Sequence, residues 1–477
     1  MREDFDQRKA LQIPEEETPE AYIEKQKHQA LKQALLWLVK INRSSLIGFS
    51  FAVLIFVGTI LLSLPIAHTN GQWGNVLDAL FTATSASCVT GLAVWDTGNE
   101  FTLFGQLVLI FLIQVGGIGI MTITTLFNYG LKRRMNIRQR LLVQDSLNQE
   151  DSSNVMHVAL TVLRYTLMME FIFGTVLALV FGDKMGVKGM YWGYWHSISA
   201  FCNAGFDLVG NFSSFVGYQG DLAVNMCFII LILVGGLGFT VIEDLWDHAS
   251  WKHLSLHSKI VLSVNSTLLT FGALLIYLVE SGNPATIGAA SAGQQWLAAI
   301  FQSVSLRTAG FNSIDLAALK PATLFFMMIM MFIGASPTST GGGIKTTTFA
   351  VLVASTVALL RDKKDVVLFH KRIDPALIHK SLAVFLLAFS WVAMATFLLL
   401  LLDDGNKPFA FILFEVCSAM GTVGMGIGIT PEWNVACKLV LIVTMFIGRI
   451  GILTFGMSFF NKKVDKLRYP TENIMIG

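Results

Sequence analysis

Long apolar runs separated by short polar connections dominate this chain. Residues 46–65, 103–127, 222–242 and 381–402 contain no charged side chain, and each meets the roughly 20 residues a helix needs to cross a hydrocarbon core about 30 Å thick. Counted with the runs interrupted by glycine, proline or a lone charge, the pattern predicts eight spans. The runs are continuously apolar rather than alternating, and too long for barrel strands, so helices are expected. Within each successive pair of spans lies a hydrophobic segment too short to cross, which is expected to enter the membrane and turn back.

These short segments align on one glycine. They read FTATSASCVTG over residues 81–91, WHSISAFCNAG over 195–205, IFQSVSLRTAG over 300–310 and FEVCSAMGTVG over 414–424, with the glycines 114, 105 and 114 residues apart. Such regularity marks an internal repeat. The predicted boundaries are a cytoplasmic N-terminal tail over 1–45, repeat 1 over 46–130, a cytoplasmic linker over 131–155, repeat 2 over 156–246, repeat 3 over 257–360, repeat 4 over 376–460 and a cytoplasmic C-terminal tail over 461–477. The expected fold class is an all-α membrane protein with eight transmembrane helices, in four tandem M1, pore loop, M2 repeats around one central pore.

Composition excludes a soluble domain. Of 477 residues, 54% are hydrophobic and only 14% charged, whereas soluble domains carry about a quarter charged residues. The net charge of +2 says little, but position is informative: most of the 34 Lys and Arg residues fall in 1–45, 128–155, 247–259, 361–380 and 461–477, while 67–101 carries none. That bias predicts a multi-pass cell-membrane protein with both termini cytoplasmic. The five cysteines, at 88, 202, 227, 417 and 437, form no CxxC pair, so neither a metal site nor a disulfide framework is expected. The acidic start is not followed by an apolar run, which argues against a cleaved signal peptide, and Thr18-Pro19-Glu20 reads as the start of an amphipathic helix running through Lys40.

Non-helical backbone at membrane depth is tolerated only where protein buries it or it lines a water-filled path, so four re-entrant loops imply a common aqueous axis. Each short helix would point its C-terminal, negative dipole end at that axis and favour a cation. The candidate filter comprises Val89, Thr90 and Gly91, then Asn203, Ala204 and Gly205, then Thr308, Ala309 and Gly310, and finally Thr422, Val423 and Gly424. Glycine lets successive carbonyls turn inward, and rings of carbonyls from Thr-Val-Gly-Tyr-Gly strands replace the hydration shell of potassium. Thr422-Val423-Gly424-Met425-Gly426 departs from that strand at one position.

The second span of repeat 3 carries Ala335-Ser-Pro-Thr-Ser-Thr-Gly-Gly-Gly-Ile-Lys345, where Pro337 and the run Gly341, Gly342 and Gly343 should break the helix. A passive packing kink would also use such residues. A Walker A loop does not fit, because Ile344 separates Gly343 from Lys345 and the context is a span. Arg449 sits mid-span in repeat 4, where a charge costs about 2.5–3.5 kcal/mol and so faces a pore or a partner. A salt bridge to Glu170 or Glu243 is the structural alternative. Arg164 should snorkel to the cytoplasmic surface. Glu415 and His196 in the pore helices read as packing or hydrogen-bonding residues, and Arg307 as an influence on filter electrostatics or an anchor for its loop.

Four such units, the Gly-Gly-Ile-Gly and Gly-Gly-Leu-Gly sequences at 116–119 and 235–238, and the interrupted third M2 resemble the Trk/Ktr/HKT superfamily of potassium transporters, in particular the Ktr-type membrane subunit. The resemblance covers about residues 45 to 460. It implies potassium as the transported ion, sodium as an activator, a homodimer of pores, and a cytosolic nucleotide-binding ring as regulatory partner. It also implies an intramembrane gating loop at the broken span, which gives Gly341, Gly342, Gly343, Lys345 and Arg449 as candidate gate residues. An alternating-access cation/sodium symporter is the rival reading, but it would use inverted repeats, and two spans per repeat preserve orientation here. An enzyme is not expected, since no His-Glu-x-x-His, paired aspartates or nucleophile with a placed base occurs. Beyond the regulatory ring, the lipid bilayer is the expected partner, and no nucleic acid.

Overall fold

The computed structural model describes residues 43–119, 122, 155–248, 250–403, 405 and 407–459. The predicted amphipathic helix of the N-terminal tail, nearly all of the linker 131–155 and the C-terminal tail 461–477 lie outside the described residues. The chain divides into two units, Met1–Leu46 and Ile47–Gly477, and the second carries everything below.

Helix follows helix in a recurring order. Repeat 1 has α1 (Arg43–Ser63), α2 (Val76–Ser87) and α3 (Leu103–Ile118), and repeat 2 has α4 (Val155–Met185), α5 (Val187–Phe201), α6 (Leu222–Leu237) and α7 (Phe239–Asp247). Repeat 3 has α8 (Leu256–Glu280), α9 (Ala292–Ser305), α10 (Pro321–Phe332) and α11 (Thr346–Leu360), and repeat 4 has α12 (Pro375–Leu402), α13 (Phe409–Gly421), α14 (Val435–Ile450) and α15 (Ile452–Phe459). Side-chain caps fix several starts. Asn75 accepts from the Leu77 amide, Asp221 from Val224 and Asn434 from Cys437, each satisfying an amide without an intrahelical partner.

The short helices α2, α5, α9 and α13 are the most enclosed. From Ala79 to Ser87 only Leu80 in α2 is not fully buried, and α13 is buried from Phe414 through Gly421. The long first helices wrap them and turn Phe56, Phe171, Phe271 and Phe397 outward, as lipid-facing surfaces do. Helices in lipid gain little from apolar burial and associate through close packing of small residues. Gly58 of α1 shows this, since a Cβ there would come within 2.7 Å of Leu112 and 3.2 Å of Ala83.

Packing between repeats closes a cycle. Each second helix lies against the short helix of the next repeat: α3 on α5, α6 on α9, α10 on α13, and α14 back on α2. The sequence order of the four repeats is therefore also their order in space.

Two features differ from expectation. Among the described residues four helices are long and apolar enough to cross a membrane, Leu46–Ser63, Val158–Met185, Leu256–Glu280 and Pro375–Leu402, or five if the bent pair α6 and α7 counts as one. The second span of every repeat is interrupted, not only that of repeat 3. Helices α3, α6 and α14 end at Gly119, Gly238 and Gly451, whose φ angles are 92°, 96° and 92°, a region open to glycine and strained for other residues. The continuous apolar run 222–242 thus bends by 94° at Gly238, because hydropathy is blind to a single backbone conformation. The second difference is a small ribbon in the linker 361–374, β1 (Val367–Leu368) paired with β2 (Lys371–Arg372). Its turn residues Phe369 and His370 have φ of 47° and 62°, as a tight hairpin turn requires.

Candidate functional site

The four aligned glycines meet in one ring. A Cβ built on Gly91 would lie 2.5 Å from the carbonyl oxygen of Ala204, one on Gly205 2.8 Å from that of Ala309, one on Gly310 2.5 Å from that of Val423, and one on Gly424 would run into that of Thr90. Each glycine is thus backed by the carbonyl that precedes the next glycine. Their φ angles are 95°, 72°, 80° and 88°, so substitution meets both strain and collision.

The local sequence folds the same way four times. Two residues before each glycine, Val89, Asn203, Thr308 and Thr422 adopt left-handed φ of 55°, 57°, 67° and 49°, terminating the short helix. The following amide then turns back: Thr90, Ala204 and Val423 donate at 2.8 Å to the carbonyls of Ser85, Ser199 and Ser418, and Ala309 at 3.0 Å to that of Ser305. A left-handed β-branched Val89 is costly, and the surrounding packing holds it there. The amide of Asn203 lies 3.3 Å from the Thr308 hydroxyl, linking repeats 2 and 3 at the base of the ring.

The same serines brace the ring, and the sequence reading missed them. Gly91 donates its amide to Ser85 Oγ at 3.0 Å and Gly424 donates to Ser418 Oγ at 3.0 Å. Ser199 Oγ donates to the Phe206 carbonyl at 2.7 Å, and Ser305 Oγ to that of Phe311 at 2.5 Å. The signal was present, as a serine stands six residues before the glycine in repeats 1, 2 and 4 and five before it in repeat 3.

Directly beside the ring lies the broken helix of repeat 3. Between α10 and α11 the chain forms a tucked loop, whose ends Ile333 and Ile344 pair as an isolated bridge. Gly342 donates its amide to Thr422 Oγ1 at 2.9 Å, and Gly343 donates to the Gly448 carbonyl at 3.2 Å. A Cβ on Gly341 would strike Thr308 Oγ1. On its other side Thr340 donates its amide to Gly235 at 3.2 Å and Phe239 donates to Thr338 at 3.0 Å. Repeats 2 and 4 therefore both grip it.

The cations divide between the loop's two ends. Arg449 donates to the backbone carbonyls of Thr340 and Gly116, and at 3.3 Å to that of Gly117. Its described hydrogen bonds join three repeats. They do not involve Glu170, which instead accepts from Gln114 at 3.0 Å, while Glu243 lies on α7 among the lining of a separate pocket. Lys345 donates Nζ to the Gly341 carbonyl at 2.7 Å. Arg307, 4% exposed, donates Nη2 to the Gly334 carbonyl at 2.8 Å and so anchors the start of the loop.

Two cavities flank these elements. One of about 110 Å³ is lined by Gly91, Gly205, Gly310, Gly424, Asp96 and Asp207. A larger one, about 1100 Å³, is lined by Gly341, Gly343, Lys345 and Arg449 together with the helix-breaking Gly119 and Gly451. Ring and loop separate the two.

Comparison with known proteins gives this architecture a family. The model of the TrkH family, described as cation transport protein, matches residues 32–466. The chain belongs to the TrkH family. Among curated TrkH relatives, the Ktr system potassium uptake protein B of Bacillus subtilis is 39% identical over 448 residues, covering 94% of this chain and 99% of the relative. The protein of the same description from Vibrio alginolyticus is 40% identical over 435 residues, 91% of this chain and 94% of its own. The potassium/sodium uptake protein NtpJ of Enterococcus hirae is 35% identical over 444 residues, 92% and 98%. Among solved structures, the potassium transporter TrkH from Vibrio parahaemolyticus superposes with a TM-score of 0.70 at 18% identity, over 87% of this chain and 84% of that one, a likeness of fold. In this TrkH-family chain the five cysteines are all buried and free, and no cluster of potential metal-binding side chains occurs among the described residues.

Proposed function

We propose that this chain is the translocating subunit of a Ktr-like system that takes up potassium across the cell membrane. In this reading the eight predicted spans enclose a single pore with channel-like conduction, and both termini are cytoplasmic. The ring of Gly91, Gly205, Gly310 and Gly424, with the residues before each, is the selectivity filter, and the smaller cavity with Asp96 and Asp207 is its outer mouth. The loop of Gly341 to Gly343, with Lys345 and Arg449, is the gate, and the larger cavity is the cytoplasmic vestibule. One observation carries it: the cyclic closure of four equivalent glycine turns, in which each ring glycine is backed by a backbone carbonyl of the next repeat, the kind of group that can replace the hydration shell of potassium.

Sodium acts as an activator in this reading, a homodimer is the assembly, and a cytosolic nucleotide-binding ring the regulator. For potassium uptake within a system of several components, and for a link to sodium, support comes from the relatives, two of them described as Ktr system potassium uptake proteins and one as a potassium/sodium uptake protein. The test is ion flux in vesicles containing the purified protein. Potassium should outpace sodium, flux should follow the electrochemical gradient without fixed stoichiometry, and Gly91→Ser, Gly205→Ser, Gly310→Ser or Gly424→Ser should lower the potassium preference about tenfold or more, since each displaces a coordinating carbonyl. Unchanged selectivity in all four variants would refute the filter, and a fixed coupling ratio to sodium would favour a symporter.

A further inference from the structure

Two side chains at one register of opposite short helices are buried, polar and committed to the strands that leave the ring. His196 of α5 and Glu415 of α13 each stand nine residues before their glycine, and both are 0% exposed. Repeats 2 and 4 face each other across the cycle. Repeat 1 has Thr82 at this register, and repeat 3, whose brace serine stands one residue nearer its glycine, has Gln302, which donates to Asn312 and Met425; the pair of titratable side chains is confined to one diagonal.

Glu415 uses both oxygens. Oε1 accepts from Thr430 Oγ1 at 2.7 Å and Oε2 from Trp433 Nε1 at 2.7 Å. A Cβ on Gly426, two residues beyond the ring glycine, would lie 3.7 Å from Oε1, so the carboxylate sits directly behind the outgoing strand. The Trp433 ring, 3% exposed, is covered by Lys407 Nζ at 4.6 Å, and Lys407 bonds Asp403 at 3.0 Å. The brace therefore continues back to the end of α12.

His196 makes the corresponding brace with one acceptor. The Leu208 amide donates to Nε2 at 3.0 Å, and Nδ1 lies 2.8 Å from the Trp192 carbonyl. An amide can only donate and a carbonyl only accept, which assigns the proton to Nδ1 and leaves the ring neutral. Leu208 lies three residues beyond Gly205, and Thr430 and Trp433 lie six and nine beyond Gly424.

We infer that His196 and Glu415 are positioning residues that set the width of the ring along the diagonal of repeats 2 and 4, and with it the preference for potassium over sodium. The inference rests on the filter reading above. Hydrogen bonds to the buried Glu415 carboxylate are stronger than those between neutral groups, and leaving the Leu208 amide or the Trp433 Nε1 without its buried acceptor is costly. A brace of that strength resists the small contraction by which a carbonyl ring would close around a smaller ion.

The test compares potassium and sodium flux in vesicles for His196→Met, His196→Gln, Glu415→Gln, Trp433→Phe and the double Glu415→Gln/Trp433→Phe. His196→Met should lower the potassium-to-sodium ratio about fivefold, equivalent to roughly 1 kcal/mol, while His196→Gln keeps an acceptor for Leu208 and restores most of it. Trp433→Phe keeps the ring packing and loses only the donor. Its effect and that of Glu415→Gln should be less than additive in the double variant, as coupled partners are. Glu280→Gln serves as control, since Glu280 is equally buried but bonds Thr323, Asn283 and Thr286 away from the ring. Ratios within twofold of the parent in the brace variants, or an equal loss in Glu280→Gln, would overturn the inference. Where a variant conducts nothing, thermal stabilisation of the purified protein by potassium against sodium gives the preference, and a parental preference there also overturns it. If Gly424→Ser leaves selectivity intact, the filter reading fails; if only the brace variants leave it intact, the brace alone fails.

Discussion

Asp207 lies two residues beyond Gly205, half-buried in the smaller cavity beside Asp96. Burial pushes its carboxyl up to about 6, the Val209 amide opposes this, and the Asp96 carboxylate adds to it. In the filter reading, where this cavity is the outer mouth, the mouth carries that charge and concentrates cations above this value and loses it below. Uptake should therefore fall about twofold or more as external pH drops from about 7.5 to about 5, and Asp207→Asn should be slow at both values and nearly flat between them. Flux at controlled external pH measures this, and an unaltered pH profile in Asp207→Asn would exclude the role. At this scale the sequence was informative about backbone and less so about side chains. The left-handed Val89, Asn203, Thr308 and Thr422 follow from their place before an aligned glycine, whereas the serine braces looked like ordinary small polar residues until the chain turned back onto them.

Among elements, the loop between α10 and α11 has the clearest mechanical logic. Its glycines touch Thr308 and Thr422 at the base of the ring, and its carbonyl at Thr340 receives Arg449. In the gate reading the loop blocks the path, and Arg449 repels the ion behind it. Two unit charges about 6 Å apart interact by roughly 3 kcal/mol at an effective dielectric near 20, enough to slow a cation by about two orders of magnitude. Removing one residue of the Gly341 to Gly343 run, or Arg449→Gln, should raise potassium flux about tenfold or more with selectivity retained. Variants that insert normally and conduct no faster than the parent would return the loop to a passive kink. Pro337 and three glycines announced the break in repeat 3. The breaks at Gly119, Gly238 and Gly451 each rest on a single residue inside an apolar run, and only their positive φ reveals them.

For the whole molecule, the short connections leave few surfaces for regulation, and the described one is the linker 361–374 with its ribbon. There Arg372 bonds Asp365 at 2.9 Å, and both are substantially exposed. If a nucleotide-binding ring docks on the cytoplasmic face, purified protein alone should conduct at one rate whatever nucleotide is added. Adding the ring subunit should then make flux nucleotide-dependent by about fivefold or more, the range of typical coupling energies. A full nucleotide response without any second subunit would exclude that arrangement.

The sequence by itself determined the helical class, the glycines that align and the place where the helix after the third of them breaks, because membrane length and glycine conformation constrain residues locally. Tertiary structure decided the rest. That each second helix packs on the next short helix and that Arg449 bonds carbonyls of two other repeats rather than Glu170 depend on the cycle closing, whereas the bonds of His196 and Glu415 to partners 12 to 18 residues on depend on each loop folding back over its own short helix. Closure brings together residues more than a hundred positions apart, and no local pattern of hydrophobic and polar residues encodes which carbonyl a buried side chain will meet.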